Sequence, residues 1–256
     1  MSFDQHRFDQ HQFDGQRVVI IGASAGIGEA TAKAFAARGA SVTITGRSKE
    51  RLDQAAQRIG RPVLATELDA TSREALDLFF AASGTVDHLV LCASPGPVGI
   101  GPVATLDEAD LRQAFDGKFF AHVKSIQAAL PRLRRDGSVT LVTAVSARAA
   151  LPGTAGLAGA NGALESIVAP LAVELAPLRV NAVSPGVIDT PWWNGMPEEQ
   201  RRAYFEATAA VSPVRRVGRP DDVADAIVYL AGAGFVSGTV LECTGGANLT
   251  AGALAG

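Results

Sequence analysis

A glycine-rich turn from Gly22 to Gly28 is the strongest chemical signal in this sequence of 256 residues. The apolar run Arg17–Ile21 precedes the turn, and a helical pattern follows it. Such a turn opens a helix whose free N–H groups can hold a pyrophosphate. Gly22 permits the tight turn, Gly26 lets a phosphate approach the backbone, and Gly28 lets helix and strand pack closely. The turn predicts a dinucleotide site, although its GxxxGxG spacing differs from the general GxGxxG fingerprint.

The choice of dinucleotide is predicted from the end of the second strand. A carboxylate at this place would bind the ribose hydroxyls of NAD. The sequence instead has Arg47 and Ser48 after Gly46, with no acidic residue. Together with Ser24, these side chains can bind a 2′-phosphate, and no carboxylate repels it. The pattern favours NADP(H), while a solvated surface arginine is the alternative interpretation of Arg47.

Short β-branched runs alternate with longer helical patterns along the chain. Runs that are apolar nearly throughout are typical of strands covered on both faces. The order predicts an α/β fold with a single doubly wound parallel sheet, a Rossmann fold with helices on both faces. The predicted strands are Arg17–Ile21, Ser41–Thr45, Pro62–Glu67, His88–Cys92, Ser138–Thr143, Arg179–Ser184 and Val240–Cys243. The main predicted helices are Ile27–Arg38, Asp107–Leu133 and Thr154–Ala176.

The chain shows no linker that would divide it, so residues 17–256 are predicted to form one dinucleotide-binding domain. Residues 1–16 contain a short polar near-repeat and are predicted to form a mobile arm. The irregular stretch from about 190 to 213 is predicted to cover the substrate. Trp192 and Trp193 lie in this stretch, and an aromatic pair lines a pocket or packs in a core or interface.

Composition limits the classes of function. Apolar residues make up 47% of the chain and charged residues 19%, which is ordinary for a globular enzyme. The formal net charge of −3 gives no general attraction to nucleic acid or to an anionic membrane. No spacing of His or Cys is typical of a metal site, and neither a signal peptide nor an apolar run of about 18 residues is found. We expect a cytoplasmic protein that binds a small-molecule substrate and no metal.

Several linked motifs make the chain resemble the short-chain dehydrogenase/reductase family from about residue 15 to 246. They are Gly22–Gly28, Asp69 in Leu-Asp-Ala-Thr, Arg179–Gly186, Ile188–Thr190, Gly218–Ala224 and Gly238–Gly246. The resemblance implies that Asp69 contacts the adenine and that Ile188 and Thr190 hold the nicotinamide carboxamide. It also implies a homotetramer or homodimer. The residues expected at the cofactor are Gly22, Ser24, Ala25, Gly26, Ile27, Gly28, Arg47, Ser48, Asp69, Ala70, Ala93, Ser94, Pro185, Gly186, Ile188 and Thr190.

The sequence departs from the family at its catalytic group, which is Asn, Ser, Tyr and Lys. The family's Ser-to-Tyr spacing of about 13 and Tyr-to-Lys spacing of 4 place Ala144 at the serine and Leu157 at the tyrosine. Asn161 then stands at the lysine, and Lys118 stands at the asparagine. Ala144 and Leu157 are vacant catalytic positions because neither side chain can donate or accept a proton.

Lys118 is the replacement whose side chain could still take part in chemistry. Its amine could protonate a substrate oxygen, fix a carboxylate or form a Schiff base, each more easily if burial lowers its pKa. The alternative is a structural role, in which Lys118 fills vacated space and bonds Asn161 or the cofactor. His122 lies one helical turn beyond Lys118 and is expected at a helix surface or an interface.

Three functions remain open from the sequence. The first is an NADP(H)-dependent oxidoreductase that uses Lys118, or whose substrate needs no strong acid, such as an iminium or an activated alkene. The second is a cofactor-binding protein without turnover, acting as a sensor or as a silent partner subunit. The third is a non-redox enzyme that uses the dinucleotide as a scaffold.

Overall fold

Seven parallel strands form one sheet in the computed structural model, which describes residues 11–249. They are β1 (Arg17–Ile21), β2 (Ser41–Gly46), β3 (Val63–Glu67), β4 (Val86–Leu91), β5 (Leu133–Val142), β6 (Arg179–Pro185) and β7 (Val240–Cys243). Their spatial order is β3-β2-β1-β4-β5-β6-β7. The order reverses between β1 and β4, and open sheets bind ligands in the crevice at such a point. The predicted doubly wound fold is confirmed.

Helices connect successive strands and cover both faces of the sheet. They are α1 (Gly26–Ala37), α2 (Lys49–Ile59), α3 (Arg73–Ala82), α4 (Glu108–Phe115), α5 (Ala121–Ala129), α6 (Ala155–Glu174), α7 (Glu198–Val211) and α8 (Pro220–Gly232). A π-helical turn, Asp116–Phe120, joins α4 to α5. Short 3₁₀ turns follow β5 at Val145–Ala147 and follow β6 at Pro191–Gly195.

Strand β1 shows why the central strands are apolar throughout. Val18 and Ile20 are buried in the core that also contains residues of α1, α2 and α8. Val19 and Ile21 point to the opposite face and are buried with residues of α3, α5 and α6. Because successive side chains of a strand alternate between the two faces, a strand covered on both sides needs apolar residues at every position.

The long helix predicted over Asp107–Leu133 differs from the structure. The helical segment ends at Ala129, and β5 begins at Leu133 instead of Ser138. The π-helical turn interrupts the segment between α4 and α5. A π turn inserts one extra residue into a helix, and such turns are frequent at functional sites.

The predicted mobile arm, residues 1–16, also differs from the structure in its second part. Phe13 is 1% exposed, and its ring lies 4.9 Å from that of Phe35 and 5.4 Å from that of His88. The packed domain therefore begins before residue 17, because one aromatic side chain inserts into the core. Residues 1–10 lie outside the described residues.

Helix α6 is, within residues 11–249, the one helix long and apolar enough in composition to cross a membrane. Its buried residues include Asn161, Leu164 and Val168, which pack toward the sheet. Only 28% of the apolar 18-residue stretch of this helix is buried. The helix thus has one side in the core and a second apolar side exposed.

Candidate active site

The glycine-rich turn has the geometry that a dinucleotide cradle requires. Gly22 has φ +88°, and a Cβ there would lie 2.7 Å from the backbone nitrogen of Ala93. A Cβ on Gly28 would overlap the carbonyl oxygen of Gly22. Helix α1 begins at Gly26, after Ala25, and no side chain caps its first N–H groups. Glycine at these two positions lets neighbouring backbone approach closely, and the free N–H groups at the start of α1 fit a pyrophosphate.

The proposed 2′-phosphate corner lies beside this turn. A Cβ on Gly46 would lie 3.6 Å from the Cβ of Ser24, so the end of β2 and the glycine-rich turn are in contact. Arg47 is exposed, and Ser48 caps the N-terminus of α2, where its hydroxyl accepts a hydrogen bond of 3.3 Å from the Arg51 N–H. The Ser48 hydroxyl hydrogen is not used in that bond and remains available.

Asp69 stands at the end of the next strand, on the same edge of the sheet. Its carboxylate accepts hydrogen bonds from the Thr71 N–H at 2.9 Å and from the Thr71 hydroxyl at 2.8 Å. The Thr71 N–H lowers the pKa of Asp69, and the positive charges of Arg47 and Lys124 act in the same direction. Asp69 is therefore ionised, while the neighbouring Ala70 is buried.

The residues expected at the nicotinamide lie between β6 and the glycine-rich turn. Ile188 is buried and pairs with Gly218, and the Trp193 indole N–H donates to the Ile188 carbonyl at 2.9 Å. A Cβ on Gly26 would lie 3.3 Å from the Thr190 side chain. The segment after β6 thus reaches the phosphate cradle, with Ala93, Ser94, Pro185, Gly186 and half-buried Ile27 around the same edge.

The stretch predicted to cover the substrate folds as the 3₁₀ turn Pro191–Gly195 followed by α7. Its aromatic side chains pack on one another: the Trp193 ring lies 4.6 Å from that of Trp192, 5.1 Å from Tyr204 and 5.8 Å from Phe205. Trp193 is therefore held in an aromatic cluster at the nicotinamide end. The covering role remains a prediction.

Lys118 lies in the π-helical turn and is 8% exposed. Burial lowers its pKa from 10.5 to about 8. Within residues 11–249 its ammonium has no hydrogen-bond or ion-pair partner, and the direct bond to Asn161 considered from the sequence is not formed. A charged group on so buried a residue, without a partner, lowers the free energy of unfolding, and such groups are frequent at functional sites.

His122 is buried in the fold and not at the surface, which corrects the expectation from the sequence. Its Nε2 lies 3.1 Å from the Ala93 carbonyl oxygen and donates to it, while Nδ1 is buried without a partner. Burial, reinforced by the charge of Lys118, lowers the pKa of His122 to about 3. His122 is therefore neutral at neutral pH. Burial also raises the pKa of the Cys92 thiol to about 12.

Asn161 lies on α6 and makes two hydrogen bonds near the vacant positions Ala144 and Leu157. Its Nδ2 donates to the Leu157 carbonyl oxygen at 3.0 Å and to the Ser146 hydroxyl oxygen at 3.2 Å. Its Oδ1 is buried without a partner. Ala144 and Leu157 are half-buried nearby and carry no polar side-chain atom. The structure thus brings Asn161, Leu157 and Ser146 together.

Ser146 is a residue that the sequence analysis did not assign to the site. β5 ends at Val142, and the chain then enters the 3₁₀ turn that turns Ser146 toward Asn161. The spacing of apolar residues carries no signal for that turn. Metal ligation has no candidate here, since no group of three His, Cys, Asp or Glu in the described part of the chain could hold an ion.

Known proteins share this fold and much of this sequence. The family model described as enoyl-(acyl carrier protein) reductase matches residues 22–248. The short-chain dehydrogenase/reductase ATR9 of Stachybotrys chlorohalonatus is 34% identical over 255 residues, covering 92% of this chain and 98% of that protein.

Two solved structures are similar over nearly their whole length. The MalC reductase/Diels-Alderase of Malbranchea aurantiaca has a TM-score of 0.87 and 27% identity, covering 96% of this chain and 100% of that one. A small-chain dehydrogenase crystallised in complex with NADPH has a TM-score of 0.80 and 29% identity, covering 92% and 100%. This chain belongs to the short-chain dehydrogenase/reductase family of oxidoreductases.

Proposed function

We propose that the protein is an NADP(H)-dependent oxidoreductase with a non-standard reacting group, in which Lys118 and Asn161 replace the family's Asn and Lys. The positions of the serine and the tyrosine are vacant, with Ala144 and Leu157. The observation that carries the proposal is the unpaired ammonium of Lys118, a residue only 8% exposed that lies near Cys92, whose backbone contacts Gly22 of the glycine-rich turn. The substrate is a small molecule that needs no strong acid, such as an iminium or an activated alkene.

The preference for NADP(H) rests on the corner formed by Ser24, Arg47 and Ser48. Arg47 provides a guanidinium that can pair with a 2′-phosphate, and the end of β2 carries no carboxylate. A structural relative with bound NADPH supports the same choice.

When it is bound, the nicotinamide supplies the hydride, so this chain must place the acceptor and handle charge. Hydride addition to an activated alkene leaves negative charge on the acceptor, and Lys118 stabilises that charge and returns a proton from Nζ. With a pKa of about 8, Lys118 is mostly protonated at neutral pH. Hydride addition to an iminium gives a neutral amine and requires no proton, so Leu157 in place of an acid carries little cost.

A second function is favoured by the vacant acid position together with one relative. MalC is named both a reductase and a Diels-Alderase. A cycloaddition needs positioning and polarisation of the substrate but no hydride, and the cradle with Lys118 offers both. The alternative is therefore a non-redox reaction in which the bound dinucleotide serves as scaffold.

The exposed apolar side of α6 supports assembly into a homodimer or homotetramer. Val173, on this helix, is 80% exposed, and the helix carries acidic residues only at Glu165 and Glu174. An apolar helix face of this length is stabilised when a second copy covers it.

The experiment begins with fluorescence titration of the protein with NADPH and NADH. Turnover of 1-pyrroline, 2-cyclohexenone and cyclohexanone is then followed by the absorbance of the reduced nicotinamide. We expect NADPH to bind more tightly than NADH, and turnover to fall in the order imine, enone, ketone. Lys118→Gln should lower enone reduction about 100-fold and leave NADPH binding and imine reduction nearly unchanged.

Lys33→Gln, which removes an exposed lysine on α1, is the matched control and should change nothing. Failure to bind either nucleotide would overturn the proposal. Binding without turnover of any acceptor would favour a silent cofactor-binding protein, and a product formed without oxidation of NADPH would favour the non-redox function.

A further inference from the structure

The 3₁₀ turn Val145–Ala147 is tied to α6 at two points one helical turn apart. Asn161 donates to the Ser146 hydroxyl oxygen at 3.2 Å. Glu165 accepts a hydrogen bond of 2.9 Å from the Thr143 hydroxyl before the turn and pairs with Arg148 Nε at 2.9 Å after it. The turn is thus fixed on both sides by the same helix, and Ser146 is held in one place.

The hydrogen bonds of Asn161 determine which way its amide faces. The Leu157 carbonyl oxygen can only accept, so the atom 3.0 Å from it must be the amide nitrogen. The same nitrogen reaches Ser146, which therefore accepts. Its own hydrogen remains, and within residues 11–249 Ser146, which is 7% exposed, donates no hydrogen bond.

Other hydroxyls around this turn are already used. Thr143 donates to Glu165, and Thr154 donates to the Leu151 carbonyl oxygen at 2.8 Å. Ala144 and Leu157 have no hydroxyl. Ser146 is the hydroxyl here that has an unused hydrogen, and it lies at the carboxyl edge of a central strand, where open sheets bind their ligands.

We propose that Ser146 donates a hydrogen bond to the oxygen of a neutral carbonyl-containing substrate, and that Asn161, by donating to Ser146, is the positioning residue that leaves this hydrogen free. The inference rests on the proposed function, because it places the substrate at the same edge as the nicotinamide. The bond polarises the carbonyl without transferring a proton, which suits a conjugated ketone whose neighbouring carbon accepts hydride.

The test uses acetophenone as a probe and needs no turnover. Infrared spectra of the probe are recorded on the full-length protein with and without NADP⁺, and its dissociation constant is measured. We expect the C=O band of the bound probe to lie at lower wavenumber than that of acetophenone in hexane. Ser146→Ala should return the band to the hexane position and weaken binding about threefold to tenfold. Ser146→Thr retains a hydroxyl and should keep both the band position and the affinity of the wild-type protein.

Asn161→Asp tests the positioning role. A carboxylate would accept the Ser146 hydrogen, so the shift of the C=O band should disappear as in Ser146→Ala. The double variant Ser146→Ala, Asn161→Asp should bind acetophenone as weakly as Ser146→Ala alone. Ser166→Ala, which removes an exposed hydroxyl on α6, is the control and should behave as wild type.

An unshifted band in the wild-type protein, an unchanged band in Ser146→Ala, or no binding of acetophenone at millimolar concentration would overturn the inference. Nucleotide titration of the same samples reports separately on the proposed function.

Discussion

Two regions differ in how their polar groups are satisfied. The nucleotide cradle comprises Gly22–Gly28, Arg47, Ser48 and Asp69, and the reacting region comprises Lys118, His122, Ala144, Ser146, Leu157 and Asn161. Around the cradle, Ser48 and Asp69 make hydrogen bonds to nearby N–H groups, and Arg47 is exposed to solvent. Within residues 11–249, the two buried side-chain polar atoms without a partner, on His122 and Asn161, both lie in the reacting region. Unsatisfied polar atoms cost free energy, so a functional role that compensates this cost agrees with the proposed function.

The two regions also differ in what they require of the sequence. The glycine-rich turn presents backbone N–H groups, and Gly22 and Gly28 lie against other backbone where a Cβ would clash, so its requirements are backbone requirements. Under the proposed function, the reacting region would act through side chains that α6 and the π-helical turn present. These side chains can be replaced without changing the fold, so one family retains the cradle while its chemistry varies.

The largest predicted effect comes from restoring an acid to the reacting region. The triple variant Ala144→Ser, Leu157→Tyr and Asn161→Lys should increase ketone reduction by about 10²–10⁴-fold, the usual contribution of general acid catalysis. The gain requires that the cradle is already complete. Rates with NADPH and cyclohexanone measure it, and the same variant with Leu157→Phe in place of Leu157→Tyr is the control without a hydroxyl. Equal rates in the two variants would show that the lack of an acid at position 157 does not limit ketone reduction.

The second prediction concerns the cost of burying Lys118. Because burial holds its folded pKa at about 8, below the unfolded value of 10.5, the folded protein binds fewer protons between these pH values. The contribution of Lys118 to the free energy of unfolding of the wild-type protein therefore becomes more favourable as pH increases from about 8 to 10.5. Lys118→Met should raise the free energy of unfolding at neutral pH by about 3 kcal/mol, at about 1.4 kcal/mol per pH unit.

Urea denaturation of both proteins at several pH values checks this cost. The advantage of Lys118→Met should be full below pH 8 and should shrink steadily above it. Lys33→Met, at an exposed position, should have the same stability as wild type at each pH. An advantage that does not depend on pH would mean that packing, and not charge, is responsible.

The sequence predicted the cradle well because its signals are backbone signals. β1 and β7 have the bounds that the apolar runs predicted, and the glycine-rich turn lies between β1 and α1 as expected. Gly28 is required by a close approach of two backbones, and such a requirement is visible in the residue type alone.

The reacting region and the N-terminal boundary were less predictable for physical reasons. A π-helical turn has no characteristic residue, so the interruption before α5 was missed and His122 was placed at the surface. The orientation of Ser146 depends on where β5 ends, which the alternation of residues does not encode. Phe13 is one aromatic residue in a polar near-repeat, and only the tertiary contact with Phe35 shows that it is core.

The smallest effect is expected at the exposed edge of the cradle. Arg47→Ala should weaken NADPH binding about tenfold, since a charge-assisted hydrogen bond contributes about 1.5–3 kcal/mol and exposure to solvent reduces it. NADH binding should not change, because NADH has no 2′-phosphate. Fluorescence titration at low and high salt measures both, and the NADPH effect should diminish as salt increases. Arg61→Ala, at another exposed arginine, is the control. An equal weakening of NADH binding by Arg47→Ala would contradict this prediction. It would mean that Arg47 does not recognise the 2′-phosphate and that a preference for NADPH comes from another residue.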